Sequence, residues 1–251
     1  MKPDPNRASF QLPQITKRIT IIVGGYGSGK SEVAVNLARF LVSDQTDPVT
    51  VADLDIINPY FRSREAAAEL ESFGVHCLLP PGDQVHADLP IVMPEIKGAI
   101  ERRSGKLILD VGGDDVGAKV LSSLADAFAL GDYDLLLVHN ARRPFTSTLE
   151  GSLRVINEIE ISSRLRFTGI ISNTHLLTET TGDIMLAGLD LARQISLKTK
   201  LPILFLSGLR SVLDTIKPAS LDVPVLAMDR ALVKPWEHKG NTWTDRKLRI
   251  H

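Results

Sequence analysis

The sequence predicts an α/β fold in three layers, with a mainly parallel sheet flanked by helices. Three observations predict it. Short apolar runs rich in β-branched residues alternate with stretches of helical periodicity along most of the chain. The first run, Ile19-Thr20-Ile21-Ile22-Val23, passes through a glycine-rich turn directly into a helical pattern. No internal repeat, low-complexity block or linker divides the chain. Strands joined through helices run parallel, because only a crossover connection returns the chain to the same edge direction.

The elements follow in order. Residues 1–17 contain three prolines and read as a loose arm. After the first strand, Val33, Leu37, Ala38 and Leu41 are spaced to fill one face of a helix. Pro48 to Ala52 is a second strand ending in Asp53-Leu54-Asp55. Asn58-Pro59 marks a turn, and a helix beginning at Ser63 stops at Gly74. Val75 to Leu79 is a strand ended by Pro80-Pro81-Gly82, and Asp83 to Leu89 is loop. A helix over Met93 to Arg103 leads to a strand over Lys106 to Val111. Val116 to Leu130 is helical, Asp134 to His139 is a buried type of strand, and 146–163 is an amphipathic helix with Leu149, Leu153, Ile156 and Ile159 inward. Strands at Phe167 to Ser172 and Pro202 to Ser207 flank a helix over 182–198, and Val223 to Met228 is the last strand. The predicted division is an arm (1–17), one domain (18–230) and a polar tail (231–251).

Bulk properties exclude several functions. A chain of 251 residues can bury a large core. Its net charge of −1 creates no field to recruit nucleic acid. The single cysteine, Cys77, permits neither an internal disulfide nor a Cys-x-x-Cys metal pair. No run approaches the roughly 18 apolar residues that span a bilayer, and Met1 to Lys17 has no signal-peptide core, so a cytoplasmic place is expected.

The turn after the first strand carries chemistry. Gly24-Gly25-Tyr26-Gly27-Ser28-Gly29-Lys30-Ser31 fits G-x-x-x-x-G-K-S/T, the phosphate loop of nucleotide-binding proteins. Glycines let several backbone N–H groups converge on one phosphate. The helix that starts there adds its unpaired N–H groups and dipole. In this motif Lys30 reaches the β- and γ-phosphates and the Ser31 hydroxyl ligates Mg²⁺.

Nucleotide hydrolysis also needs carboxylates to hold the metal and place the attacking water. In parallel sheets these sit at the carboxyl ends of strands. Leu107-Ile108-Leu109-Asp110-Val111-Gly112-Gly113 has the Walker-B form, with Asp110 on Mg²⁺ and Gly113 able to bring an N–H near the γ-phosphate. Asp53 and Asp55 end the second strand on the same side by alternation.

In their order, the phosphate loop, the strand-end Asp-x-Asp and the hydrophobic-Asp-x-x-Gly resemble the MinD/ParA/CobQ-type P-loop ATPases of the SIMIBI class, over roughly residues 18–210. The resemblance implies the P-loop NTPase fold, ATP/ADP and Mg²⁺ as ligands, and a role for Asp55 in positioning water and metal. It makes Asn173, in Ile170-Ile171-Ser172-Asn173, the adenine contact. The segment Leu137-Val138-His139-Asn140-Ala141-Arg142-Arg143-Pro144 is similar to the family's strand end before its next helix. One position departs. Many relatives carry a second lysine, acting across a dimer, where this chain has Gly25. Arg62, Arg64, Arg142 and Arg143 are the cations that could replace it. A nucleotide-dependent homodimer is one assembly that the resemblance allows.

ATP is expected over GTP, because Asn173-Thr174-His175-Leu176 lacks the carboxylate of Asn-Lys-x-Asp that accepts from guanine. The leading expectation is a Mg²⁺-dependent ATPase that acts as a nucleotide-driven switch on a protein client. The alternative is an ATP-dependent small-molecule kinase or ligase, similar to dethiobiotin synthetase, with residues 80–94 holding the acceptor. His76, Cys77, Asp83, His86 and Asp88 match no common metal-ligand spacing. Trp236 and Trp243 lie in a tail interrupted by Pro235 and Gly240, without the continuous apolar face of a stable membrane anchor.

Overall fold

The computed structural model describes residues 10–44, 47–54, 64–78, 93–113, 115–129 and 131–231. Strand β1 (Ile19–Gly24) is buried at every position, as a β-branched run between two neighbours should be. Then come α1 (Lys30–Asp44), β2 (Val49–Leu54), α2 (Arg64–Ser72), β3 (Val75–Leu78), α3 (Met93–Glu101), β4 (Lys106–Gly112), α4 (Asp115–Leu124) and β5 (Tyr133–His139). The chain continues through α5 (Leu149–Ser163), β6 (Gly169–Ser172), α6 (Gly182–Thr199), β7 (Ile203–Leu209), α7 (Arg210–Leu213) and β8 (Val225–Met228).

These eight strands form one sheet in the order β3-β2-β4-β1-β5-β6-β7-β8. Every neighbouring pair is parallel. Side-chain alternation divides the core in two. Ile22, Val51, Ile108 and Val138 face α1, where they meet Val33, Leu37, Ala38 and Leu41, with Ala67 and Leu70 of α2 alongside. Ile21, Ala52, Leu109 and Leu137 face the other way, against Ile96 of α3, Leu121 of α4, Ile156 and Ile159 of α5, and Ile195 of α6. A third cluster joins Met185 and Leu189 of α6 to Leu213 of α7 and Val225 of β8.

The strand order fixes where a ligand can enter. From β1 the chain crosses through α1 to β2, beyond β4; from β4 it crosses through α4 to β5, on β1's other side. The two crossovers use opposite faces. A crevice therefore opens at the carboxyl ends of β1 and β4, the usual ligand position in open parallel sheets.

Some expected boundaries move. The helix expected over Val116 to Leu130 ends at Leu124 and tightens into a 3₁₀ turn at Ala125–Ala127. That turn carries Phe128 onto Tyr133, with ring centroids 5.4 Å apart. The helix expected from 146 starts at Leu149, because the Thr148 hydroxyl caps it by accepting from the Gly151 N–H. Residues 10–17, expected as a loose arm, are tied down. The Val225 N–H donates to the Gln11 carbonyl at 2.7 Å, Lys106 Nζ donates to the carbonyls of Ile15 and Lys17, and Ile15 is buried. Among the described residues, no helix is long and apolar enough to cross a membrane.

Candidate functional site

The loop between β1 and α1 turns where its glycines permit. Gly27 has φ +72° and Gly29 φ +86°, in the left-handed region that a side chain opposes. The Ser28 N–H donates to the Gly25 carbonyl at 3.0 Å, closing the turn, and Lys30 opens α1. Lys30, Ser31 and Ser28 are buried, whereas Tyr26 stands 85% exposed at the lip.

The loop's first half rests on the end of β4. A Cβ on Gly113 would lie 2.2 Å from the Gly24 carbonyl oxygen and 2.7 Å from the Gly25 nitrogen, so only glycine fits there. The pairing of β2 with β4 places Asp53 directly beside Asp110. Positions 51, 53, 108 and 110 alternate in step, so both carboxylates lie on the α1 face of the sheet, the face over which Ser31 begins its helix. Asp110 is fully buried and Asp53 nearly so. Two carboxylates and a hydroxyl are hard oxygen donors, the set that Mg²⁺ takes. Asp55 and Arg62 lie outside the described residues, as do Asp83, His86, Asp88, Trp236 and Trp243. Arg64 is the first residue of α2.

The far wall comes from the ends of β5 and β6. Asn173 is buried against the phosphate loop. Its Nδ2 donates to the Ser28 carbonyl at 2.8 Å, and its Oδ1 accepts from the Ser207 hydroxyl at 2.9 Å. A base contact would have to use the second Nδ2 hydrogen and the second Oδ1 lone pair. Asn140, at the end of β5, ties the two strand ends together: its Nδ2 donates to the His175 carbonyl at 3.2 Å and its Oδ1 accepts from the Arg142 N–H at 2.9 Å. The Thr146 hydroxyl donates back to the Asn140 carbonyl at 2.7 Å, folding the β5–α5 connection tightly.

That fold separates the two adjacent arginines. Arg142 is exposed to solvent. Arg143 turns onto the phosphate loop, where its Nε donates to the Gly27 carbonyl at 2.6 Å. Two histidines stand nearby. His139 is fully buried, with Nε2 at 3.1 Å from both the Thr146 carbonyl and the Ser152 hydroxyl. A carbonyl only accepts, so Nε2 carries the proton of the neutral ring. Burial pushes the His139 pKa down to about 4. His175 is half-buried against Gly29, and burial, followed by the Arg143 cation, pushes its pKa down to about 4 as well. At β3, alternation separates exposed His76 from buried Cys77, whose thiol is pushed up to about 11, mainly by burial.

Arg143, Asn140 and Thr146 were not separable from their neighbours by sequence. The Asn-Ala-Arg-Arg-Pro run after a strand marks a strand end, but which arginine turns inward depends on the Asn140–Thr146 hydrogen bond.

No protein-family model and no curated protein matches the chain. Solved structures do resemble it. FtsY from Mycoplasma mycoides is 19% identical, with a TM-score of 0.49 over 79% of this chain and 63% of its own. FlhF complexed with GTP and Mg²⁺ is 14% identical, with a TM-score of 0.45 over 77% of this chain and 66% of its own. A nucleotide-binding protein in complex with ADP from Archaeoglobus fulgidus is 15% identical, with a TM-score of 0.42 over 74% of this chain and 81% of its own. The chain thus spans less than two thirds of the FtsY structure's length. Its eight parallel strands, with helices on both faces and a glycine-rich loop joining β1 to α1, form an α/β sheet of the P-loop NTPase fold.

Proposed function

We propose that this protein binds a purine nucleoside triphosphate with Mg²⁺ and hydrolyses it, using ATP, as a switch of MinD/ParA/CobQ type that acts on a protein partner. The observation that carries the reading is the convergence of three parts on one crevice: the Gly24–Ser31 loop, the first turn of α1, and Asp53 beside Asp110. Each part does a distinct task. The loop amides and the α1 dipole bind phosphate oxygens, and Lys30 offsets their charge. Ser31 and Asp110 would hold Mg²⁺, with Asp55 as a further oxygen ligand that also orients water. Mg²⁺, when bound, neutralises charge shared between β- and γ-phosphate oxygens. Asn173 fixes the loop's shape from behind by holding Ser28, and its remaining donor and acceptor serve the adenine.

ATP is favoured over GTP because Thr174-His175-Leu176 offers no carboxylate to guanine. Calorimetry with ATP, GTP and ADP in the presence of Mg²⁺ tests the reading. Binding of ATP is expected, with at least tenfold weaker binding of GTP. Lys30→Ala should abolish it. Unchanged ATP affinity in that variant would sink the phosphate-site assignment, and tighter GTP binding would reverse the base preference.

A further inference from the structure

Three large apolar side chains that stand in solvent occur together around the phosphate loop. Tyr26 is 85% exposed, Phe145 79% and Leu177 56%. Each lies within six residues of the carboxyl end of its strand, β1, β5 and β6 respectively, and these strands are consecutive in the sheet. At about 4.8 Å per strand, the three strand ends fit within about 10 Å. Two contacts draw the following loops together. The Arg143 Nε bond to the Gly27 carbonyl joins the segment of Phe145 to the loop of Tyr26. The His175 ring packs against Gly29, with Nε2 3.0 Å from a Cβ placed there, and its Nδ1 accepts from the Leu177 N–H at 3.4 Å. Exposed apolar residues scattered singly are ordinary, whereas a cluster marks an interaction site.

Leu177 is kept in solvent against its backbone preference. Its φ is +53°, in the left-handed region that a Cβ opposes. The Thr180 hydroxyl fixes this turn, accepting from the Leu176 N–H at 2.9 Å and donating to the Leu177 carbonyl at 2.7 Å. Glycine would form the same turn without strain, so the leucine side chain is not there for the turn's sake. Backbone strain of this kind gathers at functional surfaces.

Charge selects the partner. Segments 24–31, 140–148 and 173–178 contain Lys30, Arg142 and Arg143 and no aspartate or glutamate. Lys30 is buried and Arg142 exposed, and among the described residues neither arginine pairs with a carboxylate. Tyrosine, phenylalanine and arginine are enriched where proteins dock. Nucleic acid matches less well, because two arginines neutralise few phosphates and Leu177 offers no ring for stacking. A second copy is disfavoured too, since an isologous contact would set the same arginines against each other.

We propose that Tyr26, Phe145 and Leu177, with Arg142 and Arg143, form the docking surface for a different protein that presents carboxylates beside aromatic or aliphatic side chains. The inference deepens the reading above and rests on it for there being a protein partner. Tyr26 stands on the phosphate loop itself, so a partner held here touches the element that receives the nucleotide.

The probe is a displayed library of random twelve-residue peptides, selected against the full chain with Mg²⁺ and a non-hydrolysable ATP analogue. Enriched peptides are synthesised and their affinities measured by calorimetry. They should combine Asp or Glu with aromatic or aliphatic residues, and bind Phe145→Asp at least tenfold and Arg142→Glu at least fivefold more weakly than wild type. Exchanging their acidic residues for lysine should restore binding to Arg142→Glu. Phe145→Asp should keep the parent's urea midpoint and bind the ATP analogue within threefold of wild type. The proposal is overturned if no peptide is enriched, if the enriched peptides lack carboxylates, or if both variants bind them like wild type. Tighter binding of a fifteen-residue oligothymidylate would overturn it in favour of nucleic acid. Analogue-dependent dimerisation in light scattering, abolished by Phe145→Asp, would overturn it in favour of a second copy. If wild type binds the peptides through Phe145 but binds no nucleotide, the phosphate-site reading falls and the docking surface stands.

Discussion

The Asn173 side chain and the Ser28 carbonyl are joined by a hydrogen bond of 2.8 Å that spans 145 residues of sequence. It fastens the end of β6 to the phosphate loop, and Ser207 of β7 fastens Asn173 in turn. The loop is thus shaped by strands on the opposite side of β1 from the carboxylates.

Asn173→Ala should therefore act on both stability and binding. It leaves the Ser28 carbonyl and the Ser207 hydroxyl buried without their partner, at about 1–3 kcal/mol each. Urea unfolding should show a loss of about 2–6 kcal/mol, and nucleotide affinity should fall because the loop is no longer held in its bound shape. A variant as stable as the parent would contradict this bracing role.

Gly113→Ala places a Cβ 2.2 Å from the Gly24 carbonyl, inside the backbone of the loop. Backbone cannot move aside as a flexible side chain can, so the loop must shift away from β4. We expect a destabilisation of about 3 kcal/mol or more, in the upper range for overpacking, and loss of nucleotide binding by calorimetry. Gly25→Ala is the control: its added methyl meets nothing within 4 Å, and stability should be nearly unchanged.

Asp110→Asn tests the metal assignment. The substitution preserves shape at a buried position but removes the charge that attracts a divalent cation. ATP affinity measured with and without Mg²⁺ should differ in the parent, and the difference should disappear in the variant. An undiminished Mg²⁺ effect would exclude Asp110 as a ligand.

His139 predicts a pH dependence of stability. Its pKa is about 4 in the folded protein, against an ordinary value of 6.5. Between these values the unfolded chain takes up a proton that the folded protein refuses, so stability rises with pH. The contribution is fully present above about pH 6.5 and is lost as pH falls toward 4, by about 3 kcal/mol. His175 shifts in the same direction. His139→Gln should flatten the slope of unfolding free energy between pH 4 and 6.5. An unchanged slope would show that other groups control it.

The sequence alone determined the α/β class, the position of the phosphate loop and the strand that carries Asp110. These features are local, because side-chain period, glycine content and a strand-to-helix step need only neighbouring residues to be read. Asp53 was visible as a strand-end carboxylate, but that it lies beside Asp110 follows from the β2–β4 register. The places of Asn173 and Arg143 were decided only by tertiary structure. Asn173, Ser28 and Ser207 come together because β5, β6 and β7 follow β1 in order across the sheet. Arg142 and Arg143 carry the same charge on adjacent residues. Only the turn closed by Thr146 on Asn140 points one of them at Gly27 and leaves the other in solvent. Contacts between residues this far apart depend on register and loop closure, which no local pattern encodes.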